Sequence, residues 1–271
     1  MLSIFPLVQV QRHTPFPTLD AVPSGGWTDT YKTTKLVLRR IEHGTFLMAG
    51  TCQVTLTKPF YIGVFELTQK QYKLVMGALP MTTGQAFADA LPVERATWNT
   101  VRGAAWPTAT TASSSSFMGV LSKKTGLTFD LPTEAQWEYA CRAGTTSSYN
   151  NGGDSESDLM SLGRFKSNCS DGRGGNYPHS YTTVGSYLPN AWGLYDMHGN
   201  MKEMCLDYYS SSTLPSSATD PAGPSTGSSR RLRGGGYESS ASFCSSASRW
   251  NTIGPSETYA DVGFRVKFSV E

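Results

Sequence analysis

The sequence Leu131-Pro-Thr-Glu-Ala-Gln-Trp-Glu-Tyr-Ala-Cys-Arg-Ala-Gly144 is the most strongly patterned segment of the chain. Thr133 and Gln136 have the spacing of a capping box, in which each side chain bonds the main-chain amide of the other residue. Trp137 and Ala140 then recur at helical spacing, and the closing glycine is typical of a helix stop. The segment therefore predicts a short helix with one face in a core.

The region before this helix carries a second capping box and several short apolar runs. Thr68 and Gln71 have the same spacing, and Gly77 follows the last apolar position of the predicted helix. Shorter helices are predicted over residues 98–106 and 117–124. Apolar or alternating runs broken by glycine and proline predict strands that pair as hairpins. These runs are residues 36–41, 46–48, 54–57 and 60–62.

Helical patterns largely disappear after residue 144, where small and polar residues interrupt the chain every few positions. Residues 210–229, rich in serine and proline, fit either a linker or a long surface loop, and a loop would keep one domain. We divide the chain into an N-terminal arm or extra edge strand, residues 1–34, and one domain, residues 35–271.

Composition excludes several classes of protein. The 271 residues are 38% hydrophobic, 11% aromatic and only 16% charged, which favours a loop-rich globule with an aromatic core. The formal net charge is +2 and no basic run is longer than Arg230-Arg231, so we expect no nucleic-acid partner. No apolar run approaches the ~20 residues of a membrane-spanning helix, so we expect no transmembrane segment in this chain.

The cysteines do not predict a metal or redox motif. There are five, an odd number, at wide spacings and without a C-x-x-C pair. We expect most of them to be small buried side chains. They are Cys52, Cys141, Cys169, Cys205 and Cys244.

An ordered set of segments resembles the formylglycine-generating enzyme (sulfatase-modifying factor) superfamily over most of the chain. The resemblance implies an α+β, C-type-lectin-like fold that is loop-rich, with short strands and a few helices. The segments are Val54-Thr-Leu-Thr, Phe60-Tyr-Ile, Glu66-Leu-Thr, Leu91-Pro-Val, residues 131–140, residues 190–200 with Gly193-Leu-Tyr-Asp-Met-His-Gly-Asn, Arg233-Gly-Gly-Gly and Val262-Gly-Phe-Arg.

The resemblance also bears on catalysis. Enzymes of this superfamily use two cysteines five residues apart to bind copper and oxidise a substrate cysteine, a chemistry that suits paired thiolates. Cys244 matches the second cysteine, but Ser239 occupies the first position. We therefore expect a non-catalytic member. The alternative is a copper-dependent formylglycine-generating oxidase, motivated by the whole-chain similarity and by Cys244.

A second enzymatic branch uses three histidines to hold iron. The histidines of this chain have no ligand-like spacing. We expect His198 to be a hydrogen-bonded loop residue rather than a ligand or a base. The four histidines are His13, His43, His179 and His198.

The C-terminal part of the chain resembles the variable proteins of diversity-generating retroelements, the Treponema variable protein type, within the same superfamily. In these proteins rewritten asparagine codons change surface residues between fixed ones. The resemblance implies a variable ligand-binding region at about residues 233–265. The fixed set, here called the frame residues, is Arg233, Gly234, Gly235, Ala241, Cys244, Ala247, Arg249, Pro255, Gly263, Phe264 and Arg265.

The residues between the frame residues form the predicted ligand-binding set. Aromatic side chains give large rigid contacts, while serine, threonine and asparagine give adaptable hydrogen bonds, as in antibody binding loops. Glu238, Trp250 and Glu257 do not follow from rewritten asparagine codons. The set is Tyr237, Glu238, Ser239, Ser240, Ser242, Phe243, Ser248, Trp250, Asn251, Thr252, Ile253, Glu257, Thr258, Tyr259, Ala260 and Asp261.

The burial of the side chains distinguishes this prediction from a simpler one, in which the segment is a serine-rich surface loop and its aromatic residues belong to the core. We expect the frame residues to be buried, since diversity is tolerated only where side chains leave a rigid platform. Tyr237, Phe243, Trp250 and Tyr259 are the predicted aromatic contacts. Each of them could equally be a core residue, because tryptophan and phenylalanine are often largely buried.

The superfamily enzymes also hold calcium, and the resemblance implies a structural calcium here. Its ligands would be Asp196, Gly199, Met201 and Glu203, the glycine and methionine through carbonyl oxygens; oxygen ligands suit calcium. The alternative is a hydrogen-bonded turn in which Glu203 caps main-chain amides. A second site would involve Asn168 and Cys169. No other cofactor is expected.

The resemblance implies a macromolecular ligand, a protein or a component of a cell surface. It also implies a location at the cell surface or outside the cell. A lipoprotein leader, absent from this sequence, would be one way to reach the cell surface. Calcium-dependent carbohydrate binding would need a cluster of sugar-coordinating acidic and amide side chains, which we do not find.

Overall fold

The computed structural model describes residues 2–4, 23, 26–80, 88–170 and 181–269. The strands are β1 (Leu2–Ile4), β2 (Leu36–Ile41), β3 (Gly44–Met48), β4 (Cys52–Leu56), β5 (Phe60–Gly63), β6 (Phe129–Asp130), β7 (Lys202–Tyr208), β8 (Ser217–Thr219), β9 (Arg230–Arg233), β10 (Thr252–Ile253), β11 (Val262–Gly263) and β12 (Lys267–Ser269). The helices are α1 (Asp29–Thr33), α2 (Gln69–Met76), α3 (Trp98–Val101), α4 (Phe117–Thr125), α5 (Glu134–Arg142) and α6 (Glu156–Leu159).

The described strands form three sheets. The first has the order β1-β2-β5-β12-β6, so that a strand from the N-terminal arm lies at its edge and the C-terminal strand lies inside it. The second has the order β10-β9-β7-β11, and the third has the order β3-β4-β8. Strands β3 and β4 form the predicted hairpin, while β2 pairs antiparallel with β5.

Local sequence signals fix the ends of the main helices. Both predicted capping boxes are present, with Thr68 before α2 and Thr133 before α5. Helix α2 ends at the left-handed Gly77, as predicted, whereas the left-handed cap of α5 is Ala143 rather than the glycine that follows it. Helix α3 is shorter than predicted because Gly103 adopts a left-handed φ of 80°, which a helix cannot continue through.

Two apolar clusters make up most of the core. One packs α2, α3 and α4 against β7, β9 and the C-terminal residues. In it, Phe264 packs edge-on against the stacked rings of Tyr72 and Phe117. The other packs α5 against β2, β4 and β5 around Trp137. The C-terminal residues thus hold the helices of the first half of the chain.

The serine-rich residues 210–229 form a loop of the domain rather than a linker. Within them, β8 pairs in parallel with β4, with Ala218 opposite Val54. Trp106 Nε1 also donates a hydrogen bond to the carbonyl of Ala222 at 2.8 Å. These contacts tie the middle of the loop to the body of the protein. In the part of the chain that the structure describes, no helix has the length and apolarity to cross a membrane.

Candidate ligand-binding face

Residues 237–261, here called the binding segment, begin and end in the second sheet. Strand β9 precedes the segment, β10 lies within it, and β11 follows it directly. Between them the chain makes a 3-10 turn, Ala241–Cys244, and open loops. The segment is therefore a set of loops with both ends and its middle held by neighbouring strands.

Arginines of β9 hold the main chain of the binding segment. Arg233 donates through Nη2 to the carbonyl oxygen of Ser246 at 2.6 Å and through Nη1 to that of Ser248. Arg231 donates through Nη1 to the carbonyl oxygen of Arg249. Every amino acid provides a carbonyl oxygen, so these bonds do not depend on the side chains that the segment carries.

Other groups of the scaffold bind further carbonyls of the segment. Main-chain amides and side chains outside it donate at intervals of a few residues, and each acceptor is a carbonyl oxygen. The bonds are Lys166 N to Ser239 (3.0 Å), Tyr149 Oη to Ala241 (2.9 Å), His198 Nδ1 to Cys244 (2.7 Å), Leu232 N to Asn251 (3.0 Å), Asn99 N to Pro255 (3.0 Å), Arg95 N to Tyr259 (3.3 Å) and Lys202 N to Asp261 (2.8 Å).

Buried glutamates of α5 position the arginines. Glu138 accepts from Arg233 Nη2 at 2.5 Å, and Arg249 binds Glu134 through two nitrogens at 2.8 Å each. Burial alone would raise the pKa of Glu134, but the hydrogen bond from Arg249 and the charges of Arg233 and Arg231 hold that pKa below its ordinary value. Glu134 is therefore ionised, and the two glutamates hold the guanidinium groups of Arg231 and Arg233 where they meet the segment.

His198 is a hydrogen-bonded loop residue, as predicted. It is fully buried; Nδ1 donates to the carbonyl of Cys244, and Nε2 accepts from the amide of Asn150 at 3.1 Å. Burial lowers the pKa of His198 to about 4. With both nitrogens occupied and the ring neutral, His198 supports the 3-10 turn and is not placed to bind a metal. His43 is exposed, and His13 and His179 lie outside the described residues.

Three of the four predicted aromatic contacts are exposed. The exposed fraction is 77% for Trp250, 46% for Tyr259 and 40% for Phe243. The side chains of Glu238, Ser240, Ser242, Glu257 and Thr258 are also exposed. Glu257, which the codon pattern does not explain, accepts a hydrogen bond from the amide of Gly254 at 2.8 Å and so supports a turn.

Four members of the predicted ligand-binding set are buried instead. Tyr237 packs edge-on against Tyr181, with ring centroids 5.8 Å apart. Ile253 lies in the core because β10 pairs with β9, and Asp261 is held by Lys202 at 2.5 Å. Ser248 is buried, and its main-chain carbonyl oxygen accepts a hydrogen bond from Arg233. These four residues belong with the frame. The remaining ones are half-buried: Ser239, Asn251, Thr252 and Ala260.

Most of the predicted frame residues are buried, as expected. A side chain at Gly235 would meet the sulfur of Cys244, and one at Gly263 would meet the carbonyl of Val93 at 2.8 Å. Three frame residues are only half-buried: Ala247, Arg249 and Pro255. The buried ones are Arg233, Gly234, Gly235, Ala241, Cys244, Gly263, Phe264 and Arg265.

The two residues at the positions of the enzymes' cysteine pair, Ser239 and Cys244, both have structural roles in this chain. Ser239 accepts a hydrogen bond from the amide of Gly236 at 2.9 Å. Cys244 is fully buried, and burial raises the pKa of its thiol to about 12. All five cysteines are free and buried, as predicted. One protonated thiol beside a serine does not fit a bis-thiolate copper site.

The residues that would hold calcium are close together. The buried Oδ1 of Asp196 has no hydrogen-bond partner among the described residues, whereas the side chain of Glu203 is already bonded within the protein. Both oxygens of Glu203 are occupied, by Arg265 at 2.6 and 2.5 Å and by Trp137 Nε1 at 2.7 Å. The positive charge that faces Glu203 is thus a guanidinium. Asp196 is buried and accepts from the amide of Gly185 at 2.6 Å.

The other residues implied for the two calcium sites are buried or bonded within the protein. Gly199 and Met201 are buried in the loop before β7, and the amide of Met201 donates to Glu66 at 2.9 Å. At the second site, the side chain of Asn168 bonds the main chain of its own loop, and Cys169 is buried. Among the described residues, no group of three or more histidine, cysteine, aspartate or glutamate side chains is arranged to hold a metal ion.

Comparison with known families agrees with this architecture. The model of the sulfatase-modifying factor enzyme 1-like domain matches residues 28–269. The chain belongs to this family. It is 39% identical over 149 residues to the formylglycine-generating enzyme of Streptomyces coelicolor, a match that covers 50% of this chain and 45% of that protein. It is 27% identical over 264 residues to the enzyme of the same name from Thermomonospora curvata, covering 80% and 84%.

Solved structures of two proteins from other bacteria have the same fold. Treponema denticola variable protein 1 superimposes with a TM-score of 0.72 and 25% identity over 87% of this chain and 96% of that one. PvdO from Pseudomonas aeruginosa gives a TM-score of 0.68 at 23% identity over 87% and 94%. The family member described here therefore has the C-type-lectin-like fold of the formylglycine-generating-enzyme type, as predicted.

Proposed function

We propose that this family member is a non-catalytic display protein, which binds a macromolecular ligand through the exposed side chains of residues 237–261. The observation that supports this most is the way in which the binding segment is held. Scaffold groups bind its carbonyl oxygens from Ser239 to Asp261, and among the described residues the exposed members of the predicted set make no hydrogen bond to the scaffold through their side chains. Such a segment can change its contacts and keep its shape.

The chemistry of the exposed side chains supports binding to another macromolecule. Trp250, Phe243 and Tyr259 provide large contact areas with few rotatable bonds, and serine and threonine hydroxyls lie between them. Aromatic side chains of this kind supply much of the energy of protein interfaces. The ligand that we propose is a protein or another component of a cell surface, and the display site is the cell surface.

A library of variants tests the binding function. The exposed positions to be randomised are Glu238, Ser240, Ser242, Phe243, Trp250, Thr258 and Tyr259. Selection against an unrelated folded protein, such as hen egg lysozyme, should yield binders whose affinity is lost when the selected aromatic residues are changed to serine. A control library randomises three exposed residues outside the segment, Lys58, Lys123 and Lys124, and is compared with a library of Ser240, Phe243 and Trp250 alone. Equal enrichment from both libraries would contradict a dedicated binding face.

The proposal includes diversification of this segment by a retroelement. The exposed residues are those that rewritten asparagine codons can yield, apart from Glu238, Trp250 and Glu257. Sequencing the locus tests this part separately. We expect a near-copy of the final coding segment and a reverse transcriptase gene nearby. Their absence would remove diversification and leave a recognition module with a fixed surface.

The second candidate is a copper-dependent formylglycine-generating oxidase, which the relatives of that name favour. Its difficulty is Ser239, whose hydroxyl is turned to the amide of Gly236, beside a buried thiol at Cys244. Incubation with Cu(I), oxygen and a sulfatase-derived peptide should give no formylglycine. Turnover that disappears on Cys244→Ser substitution would favour the oxidase instead.

A further inference from the structure

A cavity of about 350 Å³ lies between the third sheet and the loop of residues 210–224. Its wall is mostly apolar, and its inner end is polar. The apolar residues are contributed by β3, β4, β8, the start of α5 and the loop. They include Met48, Val54, Ala135, Leu214, Ala218 and Pro221. The volume lies in the range of pockets that bind small molecules, roughly 300–1,000 Å³.

Two side chains with remaining hydrogen-bonding capacity form the polar end. Arg249 uses Nε and Nη2 to bind Glu134, and within the described residues its Nη1 donates to no group. Asp207 is buried, and its Oδ2 accepts from the amide of Glu134 at 2.7 Å. The main-chain amide of Asp207 also bonds its own carboxyl group. The cavity therefore has polar atoms at one end that a ligand could bind.

The charge around this end is positive. The guanidinium groups of Arg231, Arg233 and Arg249 all lie within 3.5 Å of Glu134, and Arg233 shares Glu138 with Arg142. Four guanidinium groups thus face two glutamates. Burial, followed by the charge of Glu134, raises the pKa of Asp207 to about 7, so near neutral pH this carboxyl is partly protonated and can donate a hydrogen bond. An anionic group complements such surroundings, and a cationic group does not.

We propose that this cavity is a binding site for a medium-chain carboxylic acid, whose carboxylate bonds Arg249 Nη1 and whose alkyl chain lies against the apolar wall. The alkyl chain gains by leaving water, and the carboxylate gains a charge-assisted hydrogen bond from Arg249. The site does not use the exposed aromatic residues and is independent of the function proposed for them. Arg249 is followed in sequence by Trp250, so occupancy is expected to alter the fluorescence of that tryptophan.

Titration with octanoate at pH 7 and constant ionic strength tests the proposal. Isothermal calorimetry should show saturable binding, with octan-1-ol and octylamine at least tenfold weaker. Octylamine that binds as tightly as octanoate would overturn the proposal. It would show that Arg249 does not select a carboxylate and that a carboxyl group of the protein, such as Asp207, can bind the amine instead. The absence of saturable binding of octanoate would overturn it as well.

Matched substitutions in β8 locate the site. Ala218→Phe fills the cavity and should weaken octanoate binding at least tenfold, whereas Ser217→Phe, on the other face of the strand, should change it less than twofold. Leu214→Trp fills the same space from the loop. If Ala218→Phe fails to fold, this second variant should show the same loss of octanoate binding. Octanoate affinity that is unchanged in the folded cavity variant would contradict binding at this place. Arg249→Lys, which keeps the charge and removes Nη1, should weaken octanoate more than octan-1-ol.

Discussion

Arg233 and Ser246 are joined by a hydrogen bond of 2.6 Å, from Nη2 of the arginine to the main-chain carbonyl oxygen of the serine. The same nitrogen binds Glu138 at 2.5 Å, so one buried guanidinium connects helix α5 to the binding segment. The bond is made to an atom that no substitution at position 246 removes. This relationship is the physical reason why the segment can hold its course while its outward side chains change.

Removal of this arginine should destabilise the whole domain. Arg233→Met leaves Glu138 short of a partner and frees the carbonyls of Ser246 and Ser248 in a buried place. We expect the free energy of unfolding to fall by about 3–5 kcal/mol, measured by urea denaturation. The exposed Ser242→Ala serves as the control, with a change of at most about 0.5 kcal/mol. Equal effects of the two substitutions would contradict the role of Arg233.

Exposed and buried members of the predicted ligand-binding set should respond differently to truncation. Trp250→Ser and Tyr259→Ser should each change the free energy of unfolding by about 0.5 kcal/mol or less, since both side chains face solvent. Ile253→Ala should cost about 2–5 kcal/mol because it leaves a space in the core. Chemical denaturation of the three variants gives the comparison. A large loss from Trp250→Ser would place that side chain in the fold rather than on the face.

The buried imidazole of His198 should make stability depend on pH. Its folded pKa, about 4, lies below the ordinary value near 6.5, so the unfolded chain binds the extra proton first. The stability from the neutral ring is present above pH 6.5 and is lost as the pH falls from about 6.5 toward 4, by about 3 kcal/mol in all. Stability curves should therefore be compared for the wild type and His198→Gln, whose amide can donate to Cys244 and accept from Asn150.

The difference between these two curves isolates the histidine from other buried groups. Asp207 and Glu94 have raised pKa values of about 7, and such carboxyls oppose the trend because they favour the folded state at low pH. Subtraction of the variant's curve removes their contribution. A difference that stays constant between pH 4 and 6.5 would show that His198 titrates normally in the folded protein.

Removal of calcium should not affect stability. Arg265 forms a buried ion pair with Glu203 at 2.5 Å and supplies a positive charge where the resemblance implies an ion. The thermal midpoint in excess EDTA should equal that in millimolar CaCl₂. A clear decrease with EDTA, reversed by calcium, would revive the calcium site implied by the family. Glu203→Gln supplies the contrast, because it leaves the fully buried Arg265 without its charged partner and should lower stability in both buffers.

Local sequence patterns predicted the parts of the fold that depend on neighbouring residues. The capping boxes at Thr68 and Thr133 are closed within three residues, and both are confirmed. The whole-chain resemblance predicted the fold class and most of the frame residues. Strand β9 was missed because Arg230–Arg233 is too polar to suggest a buried strand. Its burial depends on glutamates of α5, about a hundred positions earlier in the chain.

The sequence of the binding segment alone could not predict which of its side chains are buried. Tyr237 and Ile253 are both compatible with rewritten asparagine codons, yet the ring of Tyr181 and the pairing of β10 with β9 cover them. Trp250, which the codons do not explain, is the most exposed of the predicted contacts. The asparagine-codon pattern concerns only which amino acids could arise at a position, whereas exposure depends on partners from distant parts of the chain.

The most direct test of the central claim is the fraction of folded clones in two unselected libraries. One library randomises the exposed Ser240, Ser242, Trp250 and Tyr259, and the other randomises the buried Tyr237, Ser248, Ile253 and Asp261. Resistance to protease, measured clone by clone, should be kept by most members of the first library and lost by most of the second. Similar loss in both libraries would contradict a binding segment held through its main chain.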